Sequence, residues 1–171
     1  MMNLIQKFLS KNPNSKIRNN FNHYFFSLPE HQWILNSPAK KHFERLFQHL
    51  PAGLLEILMT KNPVVFIPNH HYREGQLLTS TVVIFPKFQD LLKTSKNSAV
   101  AYLAQELGYI IYELENTNMD PLMAEIEADK FVCDLGLANE LEELLLAMDE
   151  TIEKRLRLTY LTINYFSSEQ V

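Results

Sequence analysis

From Asn97 onward the chain repeats apolar residues at helical spacing almost to its end, and this commits its second half to packed helices. Val100, Leu103, Leu107, Ile110, Ile111 and Leu114 fall on one side of a helix that Asn97 or Ser98 can cap and that runs to about Glu115. Asn116 to Met119 reads as a loop. Asp120-Pro121 then opens a second helix in the favoured way, with an acceptor side chain at the cap and proline in the first turn. That helix runs to about Leu135 and is interrupted near Gly136. A last helix is expected over roughly Asn139–Leu158, with the tail from Thr159 left unassigned.

The first half has a different texture. Residues 1–62 read as helical but broken by Pro13, Pro29 and Pro38, because proline lacks an amide donor and clashes with the preceding turn. Phe21, Tyr24, Phe25 and Phe26 form an aromatic cluster, a core or a docking surface. Ser37-Pro38 starts a helix carrying Phe43, Leu46, Phe47 and Leu50, and another helix spans roughly Ala52–Met59. Val64 to Ile67, β-branched or aromatic, suggests a strand, and Leu77–Phe85 a second one. The polar stretch Pro68–Gln76 between them predicts an antiparallel hairpin within 63–86, whose prolines at 63, 68 and 86 suit strand ends or a sheet edge. The expected fold class is α+β, mainly helical, in a single domain over 1–171: a helical part (1–62), the hairpin (63–86), a helix pair (97–137) and a last helix (139–158).

Composition narrows the function classes. With 46% hydrophobic residues in 171, the chain can bury a core and is not intrinsically disordered. Lys and Arg number 16 against 20 Asp and Glu, which argues against broad nucleic-acid binding. The lone Cys133 excludes an intrachain disulfide and points to a reducing, cytoplasmic setting. No targeting leader is expected, since residues 1–20 lack the apolar run of about 7–15 that a secretory signal needs, and no stretch of about 18 apolar residues predicts a membrane span. Leu4, Ile5, Phe8 and Leu9 have helical spacing, as a short amphipathic helix would.

Two segments carry the chemistry: Ala101-Tyr102-Leu103-Ala104-Gln105-Glu106-Leu107-Gly108-Tyr109-Ile110-Ile111 and Met123-Ala124-Glu125-Ile126-Glu127-Ala128-Asp129-Lys130-Phe131. Positions four apart on a helix share a face, offset by about 40°. Gln105 and Tyr109 are stacked in this way with Glu106 beside them, and Tyr102 and Tyr112 lie toward the same side. Glu125 and Asp129 share a face of the second helix.

LAQELGYII followed by AEIEADKFVCDLGL resembles the core of zinc-dependent metallopeptidases of the zincin class, in particular the gluzincin pattern HELGH followed by E-x-E-A-D-x-F-A. The resemblance covers about residues 63–137. It implies a helix whose two histidines hold zinc, an intervening glutamate as general base (Glu106), and a third ligand on the next helix (Glu125). It also implies an aspartate that orients a ligand histidine (Asp129), and a small sheet whose edge strand lines the cleft. Gln105 and Tyr109 stand where the two histidines would be. A neutral amide is a poor zinc ligand, and a phenol must lose a proton near pH 10 to become a good one. Zinc is therefore expected to be lost, leaving Glu106 a vestigial base, with no other cofactor implied.

Carboxylates kept without a metal need compensation. Either a pKa rises, or a cation from Lys130, Arg73, His70 or His71 fills the gap, while Gln105 can donate to Asp129 or Glu125. His70, His71, Arg73, Tyr102 and Tyr112 are cleft candidates. His23, His31, His42 and His49 show no ligand spacing, and Cys133 reads as a small buried residue rather than a nucleophile. Bland readings stay open, in which Gln105, Glu106 and Tyr109 form a solvated face and Glu125, Glu127 and Asp129 answer a helix macrodipole. Three functions follow: a catalytically inactive peptidase-like module that binds a protein or peptide through its old cleft and edge strand; an active metal-dependent hydrolase with Glu106 as base; or a structural subunit, such as one of a homo-oligomer.

Overall fold

The computed structural model describes residues 15–69, 80–94, 96–115 and 120–166, with the backbone alone over 113–115. It is α+β and mainly helical, with one two-stranded sheet. Its internal contacts group it into two units, Met1–Lys96 and Asn97–Val171. The amphipathic stretch at Leu4–Leu9 lies outside the described residues, as do His70, His71 and Arg73. Among the described residues no helix is long and apolar enough to cross a membrane.

In the first unit, α1 (Ser15–Ser27), α2 (Gln32–Leu35), α3 (Ala39–His49) and α4 (Ala52–Thr60) precede the sheet, and α5 (Pro86–Lys93) follows it. The aromatic cluster is core: Phe21 and Phe25 of α1 are buried, Phe21 meets Phe47 edge-on at 4.9 Å, and Phe43 meets Phe66 at 5.1 Å. Arg18 donates from Nε to the Phe47 carbonyl and from Nη2 to that of Leu50, satisfying acceptors that the end of α3 leaves open. Ser37 acts one residue earlier than a simple cap, its Oγ accepting the Ala39 N–H. His42 Nε2 bonds the Thr94 carbonyl at 2.8 Å and so ties α3 to the end of α5. The helix α5, absent from the expectations above, begins in a legible way with Pro86 in its first turn.

The strands β1 (Val64–Pro68) and β2 (Ser80–Ile84) pair in parallel, from Val64 opposite Ser80 to Pro68 opposite Ile84. The expected antiparallel hairpin is therefore corrected, for two physical reasons. Val64, Val65 and Phe66 form an uninterrupted buried apolar run, the pattern of parallel strands, rather than the alternation of a half-exposed hairpin. Eleven residues separate Pro68 from Ser80, close to the dozen or so a parallel crossover takes and well above the roughly two to five of a tight hairpin.

The second unit contains α6 (Ser98–Glu115), α7 (Pro121–Asp134), α8 (Ala138–Leu146) and α9 (Ile152–Leu161), the last running into a π-turn at Thr162–Phe166. Val100, Leu103, Leu107 and Ile111 are buried as the periodicity predicts, Ile110 is only half-buried, the Leu114 side chain lies outside the described residues, and Ala99, Ala101, Tyr102 and Ala104 are buried with the stripe. Asp120 caps α7 by accepting the Leu122 and Met123 amides at 3.0 and 3.2 Å. The helix stops at Gly136, whose φ of 77° allows Gly136 N–H to reach the Cys133 carbonyl and Leu137 N–H that of Val132.

The last helix expected over Asn139–Leu158 is in fact two. Thr151 caps a new start by accepting the Lys154 N–H at 3.1 Å. The ammonium of Lys154 reaches back to the carbonyls of Leu146 and Met148, at 3.3 and 2.9 Å, completing the end of α8. The break lets α9 take its own direction, with Arg157 and Leu161 buried while Ile152 and Leu156 face solvent.

Candidate functional site

The site lies wholly within the second unit, where α6, α7 and α9 each present polar side chains. The four-residue spacing on α7 sets Glu125 and Asp129 one turn apart. Asp129 is nearly inaccessible, whereas the Glu125 side chain is 42% exposed and forms the solvent edge of the cluster. From α6, the Gln105 amide Nε2 donates to Asp129 Oδ1 at 3.0 Å.

The cation is Arg157 of α9. Its guanidinium donates from Nε to Asp129 Oδ2 at 2.7 Å and from Nη2 to Oδ1 at 2.8 Å, a two-point fork. The third nitrogen, Nη1, donates to Glu125 Oε2 at 2.8 Å. Arg157 is itself only 4% exposed, and every nitrogen of the guanidinium is engaged by a carboxylate. Burial works to lower its pKa, but the bonds and charges of Asp129 and Glu125 outweigh that and raise it. Asp129 is pushed upward by burial against the pull of Arg157.

Glu106 adjoins this network. Burial pushes its carboxyl up to about 6; the hydrogen bond with Tyr102 opposes the shift, and the nearby Glu125 charge adds to it. Tyr102 is pushed up in turn by burial and by Glu106, so its hydroxyl remains a proton donor toward that carboxylate. Tyr102, a cleft candidate on periodicity, is 2% exposed and belongs to the interior of α6. Tyr109 and Tyr112 lie half-buried further along the same helix. Cys133 is buried, its thiol pushed up to about 12 by burial first and then by Asp129 and Asp134, which leaves it a poor nucleophile near neutrality.

Lys130, a cation named from sequence, turns elsewhere: its ammonium bonds Glu127 and sits 5.5 Å from the Tyr160 ring centroid. Arg157 was absent from the sequence-derived candidates, and it lies 28 positions beyond Asp129. The one signal for it is an arginine three residues after Lys154 and four before Leu161, on what becomes the inner side of α9.

These donors do not suit zinc. The Gln105 amide presents its N–H side to Asp129, and a positive guanidinium engages both α7 carboxylates. Among the described residues no group of three or more His, Cys, Asp or Glu is arranged to hold a metal ion. No family model, curated protein or solved structure matches the chain.

Proposed function

We propose that the chain is a catalytically inactive, zincin-like module that binds a protein or peptide, its former metal site converted to a hydrogen-bonded ion-pair cluster. The observation that carries this reading is the Arg157 guanidinium bonded to both Glu125 and Asp129. Those are the positions that, by resemblance, would serve a zinc site as ligand and as orienting aspartate. The Gln105–Asp129 bond adds support, because by the resemblance that aspartate would steady a ligand side chain and Gln105 stands where a ligand would be. The binding role would use an extended peptide added to a strand edge, with β2 the candidate from sequence. A reducing compartment such as the cytoplasm suits the free, buried Cys133.

A specific observation favours a second reading. A half-buried Glu106 held at about 6 is poised for acid–base chemistry near neutral pH, as an atypical hydrolase would need. Both readings meet in one experiment. The purified chain and its Glu106→Gln variant are incubated with a mixed peptide library, with and without added zinc, and retained and cleaved peptides are identified by mass spectrometry. The binding reading expects peptides retained intact by both proteins. Cleavage by the parent that Glu106→Gln abolishes, or stoichiometric zinc in the native protein, would overturn it.

A further inference from the structure

We infer that Arg157 is a built-in counter-cation: it supplies from α9 the positive charge that Glu125 and Asp129 would otherwise require from a bound ion, and so makes α9 an integral part of the site. Charge and burial both point to this role. Two carboxylates one turn apart on α7 carry like charge, and one of them, Asp129, is almost wholly removed from water. Gln105 can give Asp129 a hydrogen bond but no charge. The other cations of the neighbourhood are committed: Lys130 to Glu127, and Lys154 and Arg155 to Glu150. Arg157 bonds both carboxylates, and its planar fork matches Asp129 at two points, which an ammonium could not do.

A buried ion pair has a signature that packing lacks. Removing one partner strands an unpaired charge and is strongly destabilising, whereas neutralising both partners is often harmless. A residue that merely fills space couples to its neighbours through shape, so exchanging those neighbours for amides of nearly the same shape would not restore what its loss removes. The role also deepens the functional reading above and rests on it in one respect, the comparison with a metal-bound ancestor. Zinc found in the native protein would sink that reading while leaving the measurements below to decide the role of Arg157.

The test is a set of full-length variants compared by urea denaturation at neutral pH. Arg157→Met should lower the folded-to-unfolded ratio by roughly 150- to 5,000-fold. Arg157→Met combined with Glu125→Gln and Asp129→Asn should recover most of that loss, because the amides keep the shape and an acceptor for Gln105 without the charge. If Arg157→Met fails to fold, the triple variant still reports, since it should fold on its own. In Arg157→Ala, methylguanidinium should raise the unfolding midpoint relative to N-methylurea, a neutral group of similar shape. Near-parental stability of Arg157→Met, failure of the triple variant to recover, or equal rescue by the two small molecules would each overturn the inference.

Discussion

The packing of α6 against α7 can be tested at a single hydrogen atom of Gly108. A Cβ placed on Gly108 would stand 2.9 Å from Phe131 Cδ1 and 3.1 Å from both its Cβ and its Cγ. Two effects of opposite sign then compete in Gly108→Ala. Alanine is favoured over glycine in a helix interior by about 1 kcal/mol. Overpacking a filled site costs about 1–3 kcal/mol. The ring carbon could swing aside, but the Phe131 Cβ is fixed by its backbone, so relief requires α7 itself to shift, and Phe131 is only 5% exposed. The clash therefore wins, for a net loss of about 1 kcal/mol, or about 2–4 °C in melting temperature for a chain of this size. The control is Phe131→Ala, which opens a cavity at a cost of about 3–5 kcal/mol. It also removes two of the three close atoms, so in that background Gly108→Ala should turn neutral or stabilising. Urea denaturation followed by circular dichroism across the four-member cycle gives the coupling. A gain of about 1 kcal/mol from Gly108→Ala in the parent protein, equal to the bare helix preference, would refute the close packing of the two helices.

Three further outcomes are expected. Glu106 has a higher pKa folded than unfolded, so its ionisation weakens the fold as pH rises from 4.5 through about 6. Glu106→Gln should thus raise stability by up to about 2 kcal/mol at pH 8 and leave it little changed at pH 4, checked by denaturation at both values. His31 behaves in the opposite sense: its Nδ1 bonds the Phe25 carbonyl at 2.7 Å, its Nε2 accepts the Phe66 N–H at 3.0 Å, and burial holds its pKa down at about 4. The fold should lose about 3 kcal/mol as pH falls from 6.5 to 4, and His31→Phe should flatten that slope while lowering stability at pH 7. Trp33 reports it by fluorescence, since its indole donates to the Phe66 carbonyl at 3.0 Å. Asp120→Ala, which frees the Leu122 and Met123 amides at the start of α7, should cost about 1 kcal/mol, measured as a shift in urea midpoint.

Local signals in the sequence proved the readable ones. Asp120-Pro121, the apolar period from Val100 to Ile111 and the stop at Gly136 all work within a few residues of themselves, and each appears where the side chains put it. Strand direction is different, because Val64–Pro68 and Ser80–Ile84 would each look the same in either pairing, and only the unbroken apolar run and the length of the connection tell them apart. The division of α8 from α9 turned on Thr151 and on a lysine reaching back over the break, a signal easily lost inside an otherwise continuous helical pattern.

The arginine in the site resists reading for a deeper reason. Hydrophobicity alone would turn Ile152 and Leu156 inward on α9, yet they are 74% and 47% exposed, and the charged Arg157, next after Leu156, is buried. Burial of a charge is tolerable only when its partner is in place, so the inward face of α9 follows from α7 and not from α9. The four-residue spacing of Glu125 and Asp129 does show that two carboxylates share one face of α7 and that a cation could answer them. It does not say which of the 16 Lys and Arg side chains will, because that choice is made by tertiary packing across 28 residues or more. Demand for charge is written locally in such a chain, and supply is not. The sequence therefore points to the pair of carboxylates more readily than to the side chain that answers them.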